Sequence, residues 1–157
     1  MKKNWTMILL ALILVLSAVE VFAEGADPLA VQRENALAAA KVSLPEAEFD
    51  YTVRERDDGR YEWNLFFKQG ESLGICKVLE EKNEVRRVEM FPMPQGALKA
   101  SEAMARLAQE KGAIVIVDLD LDHDDGALRY EGEAELDGKR YEFEMLTDGK
   151  IIEWERD

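Results

Sequence analysis

The sequence has 157 residues, with 33 Asp and Glu against 20 Lys and Arg, and a formal net charge of −13. This excess of negative charge argues against nucleic acid as a partner, because phosphate binding needs the opposite sign. The acids are concentrated in residues 101–157, which hold 17 acids and 7 bases, so a basic protein surface or a metal cation suits this field better.

Residues 1–23 predict a signal peptide. Two lysines precede a 13-residue apolar run (7–19), and Ala23 ends a small-residue cleavage site. The run is shorter than the ~20 residues that cross a bilayer core. We therefore expect an exported protein, periplasmic or secreted, with no membrane span after cleavage. Retention of the segment as an uncleaved anchor is the alternative.

The remaining residues predict one small unit that occurs twice, at 27–90 and 97–157, joined by a linker at 91–96. Each unit begins with an Ala-rich amphipathic stretch that predicts a helix. In the first, Asp27 caps the start and Pro28 takes the first helical position. In the second, Ser101 is the predicted N-cap, or an early residue of a helix that starts at Ala97.

After each helix the apolar residues recur at every second position, which predicts strands. Asp-Asp-Gly at 57–59 and at 124–126 predicts a hairpin in each unit, and Asp137-Gly138 and Asp148-Gly149 predict two more. Gly132 lies inside a strand and predicts a bulge or a close backbone approach. The predicted fold class is therefore α+β, with two tandem repeats that each pack one helix on a four-stranded antiparallel meander.

The second unit resembles a PepSY domain. The resemblance rests on the helix sequence Ser-Glu-Ala-Met-Ala-Arg-Leu-Ala (101–108), the Asp-Asp-Gly hairpin and the closing Thr-Asp-Gly-Lys-Ile-Ile-Glu-Trp (147–154). The first unit matches less well, because Lys-Asn-Glu-Val (82–85) replaces the closing Asp-Gly turn. The tandem layout is also similar to the β-lactamase-inhibitor-protein-like fold. The PepSY resemblance implies an exported, non-enzymatic module that restrains peptidases or senses a ligand, with no catalytic residues to carry over.

The acidic strand around residues 118–126 suggests a second function. Side chains at every second position of a strand share one face, so Asp118, Asp120 and Asp122 line up opposite the glutamates of the next strand. The spacing from Asp120 to Glu131 approaches that of a calcium-binding EF-hand loop, but the glycine is displaced by one position and the flanks predict strands. Calcium is the one cofactor this pattern suggests. The candidate metal ligands are Asp120, Asp122, Asp124 and Glu131; a solvated acidic face is the alternative.

The apolar residues supply further candidates. Cys76, the single cysteine, lies in an apolar strand and is predicted to be a buried small hydrophobe. Phe66 faces away from the other aromatic side chains of its strand and is a candidate partner-binding anchor, as is Trp154, because exposed aromatics concentrate binding energy. Packing in the core is the alternative for both.

These patterns predict a protein-binding module rather than an enzyme. No glycine-rich phosphate loop, Ser-His-Asp set or Cys-His pair occurs in the sequence. The predicted partner is an extracytoplasmic protein, either a peptidase or another protein with a basic surface. The candidate partner-binding residues are Phe66, Glu131, Glu133, Glu142 and Trp154. A divalent-cation sensor is the alternative function.

Overall fold

The computed structural model describes residues 27–157, so the predicted signal peptide lies outside the described residues. Residues Arg33–Asp157 form one compact unit. The elements are α1 (Pro28–Ser43), β1 (Glu48–Asp57), β2 (Arg60–Gln69), β3 (Ser72–Leu79), β4 (Glu84–Pro92), α2 (Ala100–Lys111), β5 (Val115–Asp124), β6 (Ala127–Leu136), β7 (Lys139–Leu146) and β8 (Ile151–Arg156).

The strands form two antiparallel four-stranded meanders, β1-β2-β3-β4 and β5-β6-β7-β8. Each strand of the second meander begins 67 residues after its counterpart, as Glu48 and Val115 or Arg60 and Ala127 show. We call α1 with β1–β4 the first repeat and α2 with β5–β8 the second repeat. The predicted fold class is confirmed. Strand β4 extends to Pro92, two residues into the predicted linker.

The hairpins form where Asp-Gly pairs were expected to reverse the chain. Asp58 and Gly59 have φ of 46° and 79°, and Asp125 and Gly126 have φ of 51° and 78°. Two consecutive residues with positive φ form a type I′ turn, whose twist matches that of the flanking strands. The hairpin positions predicted from these pairs are therefore confirmed.

Helix α2 begins differently from the prediction, because its N-cap is Lys99 and its first residue is Ala100. The Glu102 carboxylate accepts a hydrogen bond from the Lys99 backbone N at 3.0 Å. Ser101 is the second helical residue, and its backbone N donates to Asp50 Oδ2 on β1 at 2.9 Å. The predictions of Ser101 as N-cap and of a helix start at Ala97 are therefore wrong. A carboxylate of the first repeat, that of Asp50, accepts the hydrogen bond from the free backbone N–H of Ser101. Such caps contribute about 1 kcal/mol.

Two clusters of buried side chains make up the core. One packs α1 on a face of the first sheet, and its largest members are Trp63, Leu65 and Phe67. The other joins α2 and the helix-facing side of β5–β8 to the opposite face of the first sheet. The first sheet is thus covered on both faces, whereas the second sheet is covered on one.

This arrangement corrects the prediction that Phe66 is a partner-facing anchor. The side chain is 1% exposed, and its ring centroid lies 6.3 Å from that of Tyr130 in the second repeat. The equivalent position in the second repeat, 67 residues later, is Glu133 on an uncovered face. The second repeat buries Phe66, so this side chain contributes to the core and cannot contact a partner.

Candidate functional site

The uncovered face of β5–β8 carries eight carboxylates in two rows, one residue from each strand in each row. The strand register places them opposite one another, and neighbouring strands lie about 4.8 Å apart. We call this surface the acidic face. The rows are Asp120, Glu131, Glu144 and Glu153, and Asp118, Glu133, Glu142 and Glu155.

An open groove of about 310 Å³ crosses the acidic face, and seven of the eight carboxylates line it. The expectation that Asp118 and Asp120 share a strand face opposite Glu133 and Glu131 is confirmed by the register. Strands β7 and β8 add further glutamates to both rows, beyond the predicted hairpin of β5 and β6. The sequence pattern therefore located part of this surface, and the meander completed it.

Cations balance only part of this charge. Arg129 contacts Glu144 at 2.8 Å, and Arg140 contacts Glu133 at 2.9 Å. Lys77 reaches across from the first repeat to Asp120 at 2.8 Å. The remaining acids of the face form no ion pair with any described residue; they are Asp118, Glu131, Glu142, Glu153 and Glu155.

Glu131 lies at the centre of this negative charge. Its half-buried position raises the pKa of its carboxyl above the usual value, and the charges of Asp122, Glu144 and Asp120 raise it further. Arg129 acts in the opposite direction without cancelling the effect. A positive group placed above Glu131 would stabilise its ionised form.

Two of the four predicted metal ligands form ion pairs with other side chains. Asp120 binds Lys77 at 2.8 Å, and Asp124 binds Arg129 at 3.0 Å. Asp122 lies opposite Arg129 in the ladder, and Glu131 opposite Asp120. Within residues 27–157, no three His, Cys, Asp or Glu side chains are arranged to hold a metal ion. The four residues therefore share a strand region without forming a coordination group.

Trp154 lies on the other face of the second sheet. Its ring stacks on Tyr141 with centroids 4.9 Å apart, and the Lys111 Nζ from the end of α2 sits 5.1 Å from the ring centroid. In the ladder Trp154 is paired with Phe143, a core residue. The half-buried indole is therefore separated by the sheet from Glu131, Glu133 and Glu142, so the five candidate partner-binding residues do not form one surface.

Polar groups also meet where β1 of the first repeat approaches β5 of the second. We call this region the seam; it consists of Val53, Glu55, Asn64, Lys77, Asp118, Leu119 and Asp120. The fully buried Asn64 donates from Nδ2 to Glu55 Oε2 at 2.9 Å and to the Leu119 carbonyl at 3.0 Å. A cleft of about 480 Å³ opens beside it.

Glu55 is the most perturbed carboxyl of the seam. Burial raises its pKa most, the neighbouring Asp118 carboxylate raises it further, and Lys77 and Asn64 oppose the shift, for a value of about 8. A carboxyl with this pKa in a cleft can hold or release a proton near neutral pH. Burial alone would lower the pKa of Lys77, but Asp120, Glu55 and Asp118 together raise it.

Sequence reasoning missed the seam. The available signal was polarity within apolar strands, since Asn64 interrupts Trp-Asn-Leu-Phe-Phe and Lys77 interrupts Ile-Cys-Lys-Val-Leu. A polar residue in such a run needs a buried partner. Which partner it has depends on how the two repeats pack, and the strand pattern does not contain that information.

Comparison with known structures finds two similar chains. A crystal structure of a candidate lipoprotein from Clostridium difficile 630 matches with a TM-score of 0.43 and 14% identity, over 78% of this chain and 90% of that one. The C-terminal domain of Bacillus megaterium YpeB matches with a TM-score of 0.33 and 13% identity, over 78% of this chain and 64% of that one.

No protein-family model and no curated protein matches the sequence. In the part of the chain that the structure describes, no helix has the length and apolar character needed to cross a membrane. The tandem α+β architecture is thus established by the structure, and the PepSY resemblance stays a prediction.

Proposed function

We propose that this protein is an exported, non-enzymatic binding module that holds a basic segment of an extracytoplasmic protein on the acidic face. The observation that carries the proposal is the pair of four-carboxylate rows on the uncovered sheet face. The resemblance to PepSY domains adds a finer proposal, that the bound protein is a peptidase restrained by this contact. The predicted signal peptide supports an extracytoplasmic setting.

The energetic argument starts from repulsion within the rows. Like charges directly opposite each other on neighbouring strands destabilise a sheet by a few tenths of a kcal/mol per pair. The two rows contain six such neighbouring pairs, and three cations offset part of the cost. A basic partner would remove this repulsion on binding, and its long-range attraction would accelerate encounter.

The spacing of the rows favours an extended partner. Asp118 and Asp120 are two positions apart on one strand, a separation of about 6.6 Å. Lysines at alternate positions of an extended peptide have the same spacing. A strand-like segment with alternating basic residues, lying along β5–β8, would therefore place ammonium groups over both rows.

The test uses a synthetic peptide of alternating Lys and Thr as the probe, with affinity measured by calorimetry at low salt. The variant Glu131→Gln/Glu142→Gln/Glu153→Gln removes three unpaired charges from the acidic face. Each exposed ion pair contributes roughly 0.5 kcal/mol, so we expect about tenfold weaker binding. The matched control, Glu71→Gln/Glu81→Gln/Glu84→Gln, makes the same change in net charge on exposed positions of the first repeat.

We expect the control to lose less than about twofold, because screened charges beyond a Debye length contribute little. Equal losses in both triple variants would show that net charge alone drives the association, and the acidic face would then not be a binding surface. An affinity independent of salt would contradict the electrostatic argument altogether.

A further inference from the structure

The seam between the repeats contains more carboxylates than it has positive charge for. The Lys77 ammonium lies 2.8 Å from Asp120 and 3.7 Å from Glu55, and Asp118 lines the same cleft as Glu55 and Lys77. Three carboxyl groups thus surround one cation. The side chains of Lys77 and Glu55 are each only 14% exposed, so water screens the excess negative charge poorly.

A buried acceptor in the same place lacks a donor. Asp118 Oδ1 is inaccessible to solvent and receives no hydrogen bond from the described residues. An ionised Glu55 cannot supply one, because a carboxylate only accepts. A protonated Glu55 carries an O–H that can donate to the Asp118 carboxylate, and its protonation removes one of the competing charges.

The backbone holds the two carboxyl groups together. Gly132 in β6 allows β5 to approach so closely that a Cβ at this position would lie 2.2 Å from the Asp118 carbonyl oxygen. On the other side, Asn64 fixes the Glu55 carboxyl and the Leu119 backbone with one amide group. The backbone that carries Asp118 is therefore held by the close approach of β6, and the Glu55 carboxyl is held by Asn64.

We propose that the seam is a pH-responsive latch, in which a protonated Glu55 of the first repeat donates to the Asp118 carboxylate of the second and so holds the repeats together. Loss of that proton leaves two adjacent buried carboxylates and loosens the contact between β1 and β5. The latch does not rest on the proposed function, although Asp118 belongs to both surfaces, since it concerns the contact between the repeats and not the binding of a partner.

The other charged groups near Glu55 do not remove the pH dependence of the contact between β1 and β5. Glu62, opposite it on β2, pairs with Arg86 at 3.5 Å, and Glu133 pairs with Arg140 at 2.9 Å. Arg56 and Asp57 follow Glu55 on β1 and are exposed. Arg87, opposite Lys77 on β4, pairs with Glu89 at the edge of the seam. The charged groups around the seam are thus Glu55, Arg56, Asp57, Glu62, Lys77, Arg87, Asp118, Asp120, Glu133 and Arg140.

The raised pKa of Glu55 determines whether stability rises or falls with pH. Its value of about 8 in the folded protein exceeds the ~4.3 of an unfolded chain. Folding therefore takes up a proton between these values, and stability falls as the pH rises through this window. The latch is fully closed in mildly acidic solution and is released as the pH passes about 8.

The experiment is a carboxyl-carbon NMR titration of the full-length protein, with methyl resonances of Val53 and Leu119 as reporters of the seam. We expect the Glu55 carboxyl and both methyl groups to titrate together, with cross-seam Overhauser contacts weakening at high pH. In Asp118→Asn, the Glu55 midpoint should fall by at least about one pH unit, because the neighbouring negative charge is gone.

The variant Glu55→Gln keeps an NH donor at every pH, so its methyl resonances should not titrate and its melting temperature should stay level above neutral pH. Glu142→Gln is the matched control, an exposed acid of the same sheet system, and should titrate like the wild type. An unchanged Glu55 midpoint in Asp118→Asn, or a wild-type pH profile in Glu55→Gln, would overturn the latch.

Discussion

Replacement of Gly132 by alanine tests how closely β5 and β6 approach beside the seam. A Cβ at this position would lie 2.2 Å from the Asp118 carbonyl oxygen, 2.9 Å from the Asp118 carbonyl carbon and 3.0 Å from the Leu119 Cα. All three are backbone atoms, so no side-chain rotation can relieve the overlap. Strand β5 has to move by about 1 Å to restore ordinary van der Waals separation.

Two opposing effects determine how much Gly132→Ala changes the free energy of unfolding. Overpacking a well-ordered site typically costs 1–3 kcal/mol, and a displaced backbone puts Gly132→Ala near the upper end, at about 3 kcal/mol. Alanine restricts the unfolded chain more than glycine does, which returns roughly 0.4–1 kcal/mol. The net loss is about 2 kcal/mol, which corresponds to a fall of roughly 7 °C in melting temperature for a domain of this size.

The assay is urea unfolding at neutral pH, with the slope of the transition checked for constancy. Glu135→Ala, an exposed change on the same strand, is the control and should stay within about 0.5 kcal/mol of the wild type. A Gly132→Ala protein as stable as this control would refute the close approach of β5 and β6, and with it the rigid placement of Asp118.

Two further predictions concern buried side chains. Phe66→Ala should reduce the free energy of unfolding by about 3–5 kcal/mol, whereas Ile152→Ala at a 46% exposed position should cost less than about 1 kcal/mol; equal small losses would restore Phe66 as a surface anchor. Burial raises the pKa of the Cys76 thiol to about 11, so iodoacetamide at about pH 8 should alkylate it only in denaturant, because the thiolate is the reactive form. Alkylation of the native protein at the unfolded rate would contradict its burial.

Local patterns predicted most of the secondary structure. The period-two alternation after each helix predicts four strands, and the Asp-Gly pairs predict where the chain reverses, because only a few residue types accept positive φ. Asn83, in the turn of the first repeat that has no Asp-Gly pair, also adopts positive φ, at 50°. The close approach at Gly132 was likewise visible as a glycine inside a strand.

The errors arose where a decision depended on distant residues. Ser101 resembles an N-cap, but Asp50 from β1 supplies the capping oxygen. Phe66 and Glu133 occupy equivalent positions of the two repeats, and the structure buries the first and leaves the second partly exposed. Alternation along a strand assigns each residue to one of the two faces of the sheet. It does not show which of these faces the neighbouring repeat covers.

By itself, the sequence determined the doubled α+β unit, its hairpins and the acidic character of the second repeat, because these depend on residue type and spacing along a short stretch of chain. Only the tertiary structure decided that the second repeat covers the first sheet, that Glu55 meets Asp118, and that Lys77 reaches Asp120. Burial and electrostatic coupling are properties of groups brought together from separate repeats, and they have no counterpart in local sequence.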